Sequence, residues 1–228
     1  MVDAYPATMR VHVESIGSGP PVVCTHGIGA SRHTFDALTN ELKDQFTVIT
    51  WDLPGHGQSQ SFDDAAAYDR DRVLEDLDGI VADLDQPPIM VGHSLGGYLT
   101  LAWAATRSAS VAGYVILATG PGFRNAEKRD GWNAMSRRNA HRFGVATQVT
   151  EMNLQHDSIV MERLPKMSSR FELLVGDEDN PQLQGGMSYL ATKLPDADLT
   201  VVPKGDHLMH EAIGAVATAN AVRRISDL

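Results

Sequence analysis

Residues 92–97 read Gly92-His93-Ser94-Leu95-Gly96-Gly97, between the apolar run Pro88-Ile89-Met90-Val91 and a helix-forming stretch over 98–106. A strand-to-helix turn of this kind is sharp enough to need glycine two residues before and two residues after the serine. It also has a chemical consequence. A serine hydroxyl is a poor nucleophile at neutral pH unless a base takes its proton and its backbone lifts it toward a substrate. This turn does the lifting. Two plainer explanations compete with that one. At average composition Gly-x-Ser-x-Gly arises by chance in roughly one chain of this length in ten, and serine is a favoured helix N-cap.

The rest of the chain supplies what a nucleophilic serine needs, in the order serine, acid, histidine. Phe171-Glu172-Leu173-Leu174-Val175-Gly176 reads as a strand followed by the acid cluster Asp177-Glu178-Asp179. Val201-Val202-Pro203-Lys204-Gly205-Asp206-His207 reads as a short strand feeding a turn that carries a histidine. Upstream, Pro21-Val22-Val23-Cys24-Thr25 runs into His26-Gly27-Ile28-Gly29, and Val48-Ile49-Thr50-Trp51 runs into Asp52-Leu53-Pro54-Gly55-His56-Gly57-Gln58-Ser59. With these motifs in register, the chain resembles the α/β-hydrolase superfamily from about residue 9 to its C-terminus.

The resemblance implies a set of roles. Ser94 is the nucleophile. His207, in the family's Gly-x-His turn, is the base, with His210 as its competitor. The acid accepts the imidazole Nδ1–H and fixes one tautomer. In the family it lies three residues after the glycine that ends its strand, which points to Asp179, with Asp177 and Glu178 open as substitutes. The other family position, Ala118-Thr119-Gly120-Pro121, offers no carboxylate. The oxyanion hole takes two backbone N–H groups, from Leu95 at the positive end of a helix and from Ile28. His26 and Asp52-Leu53-Pro54-Gly55 brace loops beside the site. The implied chemistry uses no metal and no organic cofactor, and His207-Leu208-Met209-His210-Glu211 matches neither zinc-protease order.

Strand patterns over 9–15, 21–25, 46–50, 89–91, 113–118, 170–175 and 198–202 alternate with helical patterns over 31–43, 68–84, 95–107, 184–194 and 208–225. That is the alternation of a parallel sheet with helical crossovers. The expected class is therefore α/β. The resemblance makes it an α/β-hydrolase fold, a mostly parallel twisted sheet of about seven to eight strands with helices on both faces and a short helical cap after the sixth strand. Residues 123–167 break the alternation and are the expected cap, with 1–122 and 168–228 as the core. Within 68–84, apolar residues repeat at helical spacing, and Asp69, Asp71, Glu75, Asp76, Asp78 and Asp83 fill a face read as solvated. Residues 124–170 carry nine basic and five acidic side chains, a net +4 against −14 for the rest. A cationic roof would steer an anionic substrate; the plainer alternative is that these arginines pair with the acidic body.

At 228 residues and 43% hydrophobic content, one sizeable core and one domain are expected. The lone Cys24 excludes an internal disulfide framework and reads as a small buried residue. A net charge of −10 argues against nucleic acid as a partner. The N-terminal residues lack a basic start and an apolar core, and no stretch approaches the roughly 18 apolar residues of a membrane span, so a cytoplasmic protein without membrane contact is expected. The expected reaction is acyl transfer to water, cleaving a small-molecule carboxylic ester or lactone through an acyl-enzyme on Ser94. A serine there departs from the haloalkane dehalogenases and most epoxide hydrolases of this fold, which use aspartate. Two alternatives remain, a carbon–carbon bond hydrolase of an anionic dienoate or β-diketone and a small-ligand receptor that keeps the triad.

Overall fold

The computed structural model describes residues 10–227. Seven strands form one sheet: β1 (Val13–Gly17), β2 (Pro21–Thr25), β3 (Thr47–Trp51), β4 (Ile89–His93), β5 (Gly113–Leu117), β6 (Phe171–Gly176) and β7 (Ala197–Val202). Their order across the sheet is β1-β3-β2-β4-β5-β6-β7. β1 runs antiparallel to β3, and every other neighbouring pair is parallel. The connecting helices are α1 (Asp36–Leu42), α2 (Arg70–Ala82), α3 (Leu95–Thr106), α4 (Ala126–Arg138), α5 (Ile159–Arg163), α6 (Pro181–Lys193) and α7 (Ala215–Ser226).

Every residue of β2, β4 and β5 is buried, as central parallel strands covered on both faces must be. Alternation along each strand divides the interior in two. Val22, Cys24, Ile89, Val91, Val115 and Leu117 belong to one core with Leu38 and Leu42 of α1 and Val222 and Ile225 of α7. Val23, Met90, Tyr114 and Ile116 belong to the other, with Leu74 and Leu77 of α2, Leu99 and Trp103 of α3 and Leu190 of α6. Each fully buried side chain of this size contributes about 1.5–3 kcal/mol, so slipping any central strand by one residue would exchange two dense apolar layers.

The structure corrects four expectations. The first strand begins at Val13, and Met9, its expected start, lies outside the described residues. The expected helix over 208–225 is broken: a 3-10 turn at Met209–Glu211 gives way to Ala212 at φ −144° and ψ −96°, and α7 starts only at Ala215. His207 sits in the turn before this break, as the sequence pattern anticipates. The helical excursion follows the fifth described strand rather than the sixth, because β1 alone closes that edge and no further strand pairs with it among the described residues. The acidic side of α2 is not simply solvated. Asp76 accepts from Arg10 Nη2 at 2.6 Å, and Asp78 accepts from Trp103 Nε1 at 2.7 Å and Arg107 Nε at 2.9 Å, which latches α2 to α3.

Between β5 and β6 the chain leaves the sheet and runs through α4, three 3-10 turns and α5. Arg70 of α2 fastens this excursion to the body through a two-pronged bond to Asp157, 3.0 and 2.8 Å. Among the described residues no helix is long and apolar enough to cross a membrane.

Candidate active site

β4 ends at His93 and α3 begins at Leu95, so Ser94 makes the reversal alone, at φ 53° and ψ −116°. That is a strained conformation for a residue with a side chain. It is held by the Ser94 N–H, which donates to Leu117 O at 2.9 Å, and by the Tyr98 N–H, which donates to Ser94 O at 3.0 Å. The flanking glycines are required by close approach: a Cβ on Gly96 would lie 2.0 Å from Thr25 O, and one on Gly92 would lie 2.5 Å from Thr100 Oγ1. The Ser94 side chain makes no capping hydrogen bond to α3, which removes the plain N-cap explanation. Its Oγ instead lies 3.0 Å from His207 Nε2.

The other side of that ring, Nδ1, is 3.1 Å from Asp179 Oδ2. A carboxylate only accepts, so neutral His207 carries its proton on Nδ1 and offers the bare Nε2 to the serine hydroxyl. The acid turn is stitched to the histidine turn through Asp177 N–H to Val202 O at 3.1 Å and Glu178 N–H to Gly205 O at 2.9 Å. These bonds leave the Asp177 and Glu178 side chains exposed, while Asp179 is 5% exposed. Of the three carboxylates open on sequence, only Asp179 reaches His207. His210, the competitor for the base, is fully buried with its Nε2 2.9 Å from Thr34 Oγ1. Burial, then the neighbouring His207, pushes its imidazole down to about 3.

Ile28 and Leu95 line the same cavity as Ser94 and His207, and Leu95 is the first residue of α3. The Ile28 loop is braced by two buried histidines. His26 Nε2 accepts the Leu53 N–H at 3.0 Å while its Nδ1–H donates to Gly27 O at 2.7 Å. His56 Nε2 accepts the Gly29 N–H at 3.0 Å while its Nδ1–H donates to Pro54 O at 3.0 Å. Both rings must be neutral to accept. Burial, then the neighbouring His56, pushes His26 down to about 4, and burial pushes His56 below its ordinary value. Asp52 completes the brace, accepting from Arg32 N–H at 2.7 Å, Arg32 Nη1 at 3.0 Å and Gln58 N–H at 2.9 Å. Sequence reading anticipated the bracing by His26 and Asp52 but not that by His56. Its signal was the position between two glycines in the 52–59 loop, where a side chain can turn back onto the neighbouring loop.

The cavity is about 620 Å³ and mostly apolar, with Ile28, Leu95, Tyr98, Phe123, Trp132, Phe143 and Leu183 among its walls and Asn153, Gln155 and Gln182 as polar points. The excursion supplies much of this lining, including Lys128, the one cation among the lining residues. Arg137 is turned away to Glu151 at 3.1 Å, Arg124 Nη2 donates to Met161 O at 3.3 Å, and Arg129 Nη1 donates to the carbonyl oxygens of Phe123 and Arg124. Several of the basic side chains counted in the sequence are thus spent on holding the excursion together. Among the described residues no group of three or more His, Cys, Asp and Glu side chains is arranged to hold a metal ion.

The chain is 36% identical over 115 residues to a pimeloyl-[acyl-carrier protein] methyl ester esterase of Chromobacterium violaceum, a match covering 50% of this chain and 43% of that protein. A protein of the same name from Nitrosomonas europaea is 28% identical over 218 residues, covering 92% of this chain and 84% of that one. Against several such curated relatives the chain spans less than half of their own length. In fold it superposes on an esterase from Exiguobacterium antarcticum with a TM-score of 0.80 at 19% identity, covering 95% of each chain. The profile of the "Alpha/beta hydrolase family" matches residues 22–219. With that match across most of its length, and a mostly parallel sheet that carries a serine on the turn after β4, the chain belongs to the alpha/beta hydrolase family.

Proposed function

We propose that this protein is a serine hydrolase that cleaves a carboxylic ester or lactone of a small molecule by forming an acyl-enzyme on Ser94. The observation that carries the reading is the continuous hydrogen-bonded line from Asp179 through His207 to Ser94, opening onto an apolar cavity. Ser94 Oγ attacks the carbonyl carbon as its proton passes to His207 Nε2, and Asp179 stabilises the imidazolium that forms. The developing oxyanion is held by the Leu95 and Ile28 N–H groups. His207 then hands its proton to the leaving alcohol, and a water deprotonated by the same ring releases the acid and regenerates Ser94. The 123–167 segment acts as a small cap over the cleft.

Relatives named for cleaving the methyl ester of a carrier-bound pimeloyl group support an ester whose alcohol is small and whose acyl part is a chain. The apolar walls suit such a chain. Each methylene buried contributes about 0.8 kcal/mol, so kcat/KM for p-nitrophenyl esters is expected to rise about fourfold per added CH2 until the cavity is full. Fluorophosphonate labelling read by mass spectrometry should mark Ser94, and Ser94→Ala should abolish both labelling and turnover. Tight ligand binding without turnover in the wild type would favour a receptor instead.

Lys128 favours an acyl chain with an anionic far end. Being exposed, it should matter modestly: Lys128→Gln is expected to lower kcat/KM about two- to fivefold for an ester bearing a remote carboxylate. Its neutral analogue should be unaffected, and the difference should shrink in 1 M salt. Arg137→Gln should leave the ratio unchanged. Equal effects on both esters would remove Lys128 from substrate recognition.

A further inference from the structure

We propose that His93 is a positioning residue that locks the catalytic base to the nucleophile turn, an inference that rests on the serine-hydrolase reading above. His93 is the last residue of β4, directly before Ser94, and is 2% exposed. Its Nε2 lies 2.8 Å from the backbone oxygen of His207. A carbonyl only accepts, so His93 is the Nε2–H tautomer and its Nδ1 is bare. That Nδ1 is buried with no hydrogen-bond partner among the described residues. A buried polar atom left unpaired is destabilising, so packing alone would favour an apolar residue here. What the histidine gains over one is the single bond to the backbone of the base.

The surroundings keep the ring from withdrawing. His210 lies against it with ring centroids 4.0 Å apart, and His207 lies at 4.8 Å. The Thr34 hydroxyl donates to Glu211 and therefore accepts from His210 Nε2–H, which pins the backing ring. On the other side is the Ile28 loop: a Cβ on Gly27 would lie 3.2 Å from both His93 Nδ1 and Ser94 Cβ. His93 thus touches three of the site's loops, all but the acid turn. It continues the backbone of the nucleophile, holds the carbonyl of the base and abuts the oxyanion loop. Burial, then the nearby His210 and His207, keeps it well below the usual histidine range, so it remains a donor at one nitrogen only and takes no proton from Ser94.

The test pairs His93→Phe, which keeps a ring but removes the donor, with His93→Gln, whose amide N–H can still reach the carbonyl. Two readouts are taken beside Tm. One is the kcat and KM of ester turnover with the Ser94 labelling rate, and the other is the low-field proton NMR signal of His207 Nδ1–H against Asp179. His93→Phe is expected to lower kcat and the labelling rate about tenfold with KM within twofold, as the loss of one neutral hydrogen bond would. The low-field signal should weaken or move upfield, and His93→Gln should restore both readouts to within about threefold. A His93→Phe protein with wild-type labelling and an unchanged low-field signal would overturn the lock. So would a His93→Gln protein as impaired as His93→Phe, which would leave only a packing role. Should His93→Phe not fold, His93→Asn, polar but too short to reach, takes its place. A wild type that neither labels nor turns over would sink the hydrolase reading, while the low-field signal would still judge the lock.

Discussion

Asp179→Asn is expected to lower kcat about ten-thousandfold while changing KM only a few-fold. The carboxylate accepts from His207 Nδ1–H at 3.1 Å, and so forces the tautomer in which Nε2 faces Ser94 without a proton. An asparagine amide can donate in the same place. The ring would then carry its proton on Nε2, aimed at the serine hydroxyl, with nothing left to accept from it. Asp177→Asn and Glu178→Gln provide the comparison. Both side chains are exposed, their backbone N–H groups only tie the turn to Val202 and Gly205, and each substitution should leave kcat within about twofold. Turnover of a p-nitrophenyl ester and the rate of Ser94 labelling across the three variants decide the matter. A mild loss at Asp179 with a severe one at Asp177 would move the acid.

Stability is expected to fall steeply as pH drops from about 6.5 toward about 4, with the loss beginning well above the ordinary carboxylate range. Burial holds His26 down at about 4 and His210 at about 3, and pushes His56 and His93 below their ordinary values as well. An unfolded histidine titrates near 6.5. Above that value the rings are neutral in both states and the folded protein has its full stability. Below it only the unfolded chain binds the protons, so each ring removes about 1.4 kcal/mol per pH unit until the pH passes its folded value. For His26 alone the loss across that window is about 3 kcal/mol. The physical reason is visible in the bonds: His26 and His56 accept backbone N–H groups at 3.0 Å, which a protonated ring cannot do. Asp52 and Asp157 are held below their ordinary values by hydrogen bonds and by the guanidinium groups of Arg32 and Arg70 respectively. Their contribution is lost only at still lower pH. Urea denaturation at pH 7.5, 6.5, 5.5 and 4.5 measures the slope, and a midpoint that stays level to 4.5 would show that these rings are not buried neutral.

The fold was legible because its signals are local. β2 runs over Pro21–Thr25 as the apolar run predicts, and most other strand ends fall within a residue or two of expectation. The Gly-x-Ser-x-Gly turn was legible because Gly92 and Gly96 are demanded by atoms only a few ångströms away. Less legible was the region after β7. Periodicity suggested one helix over 208–225, but the break at Ala212 comes from the Gly214 N–H closing onto Met209 O at 2.7 Å, a turn that no hydrophobic pattern announces. The charge of the excursion was legible only as a sum. Composition counts arginines, but only side-chain geometry shows Arg137 turned to Glu151 and Lys128 at the cavity.

By itself the sequence determined the class of fold, the turn that raises Ser94 and the small set of residues from which a base and an acid could be drawn. Those follow from glycine's steric freedom and from apolar periods of two and 3.6, which act within a few residues. Only the tertiary structure decided that Asp179 rather than Asp177 or Glu178 meets His207, that His210 is sealed behind Thr34, and that His93 grips the His207 carbonyl. These partners lie 28, 176 and 114 residues apart. Hydrogen bonds between loops at the ends of neighbouring strands aim one carboxylate inward and leave its neighbours in water, and that direction is written in no local pattern.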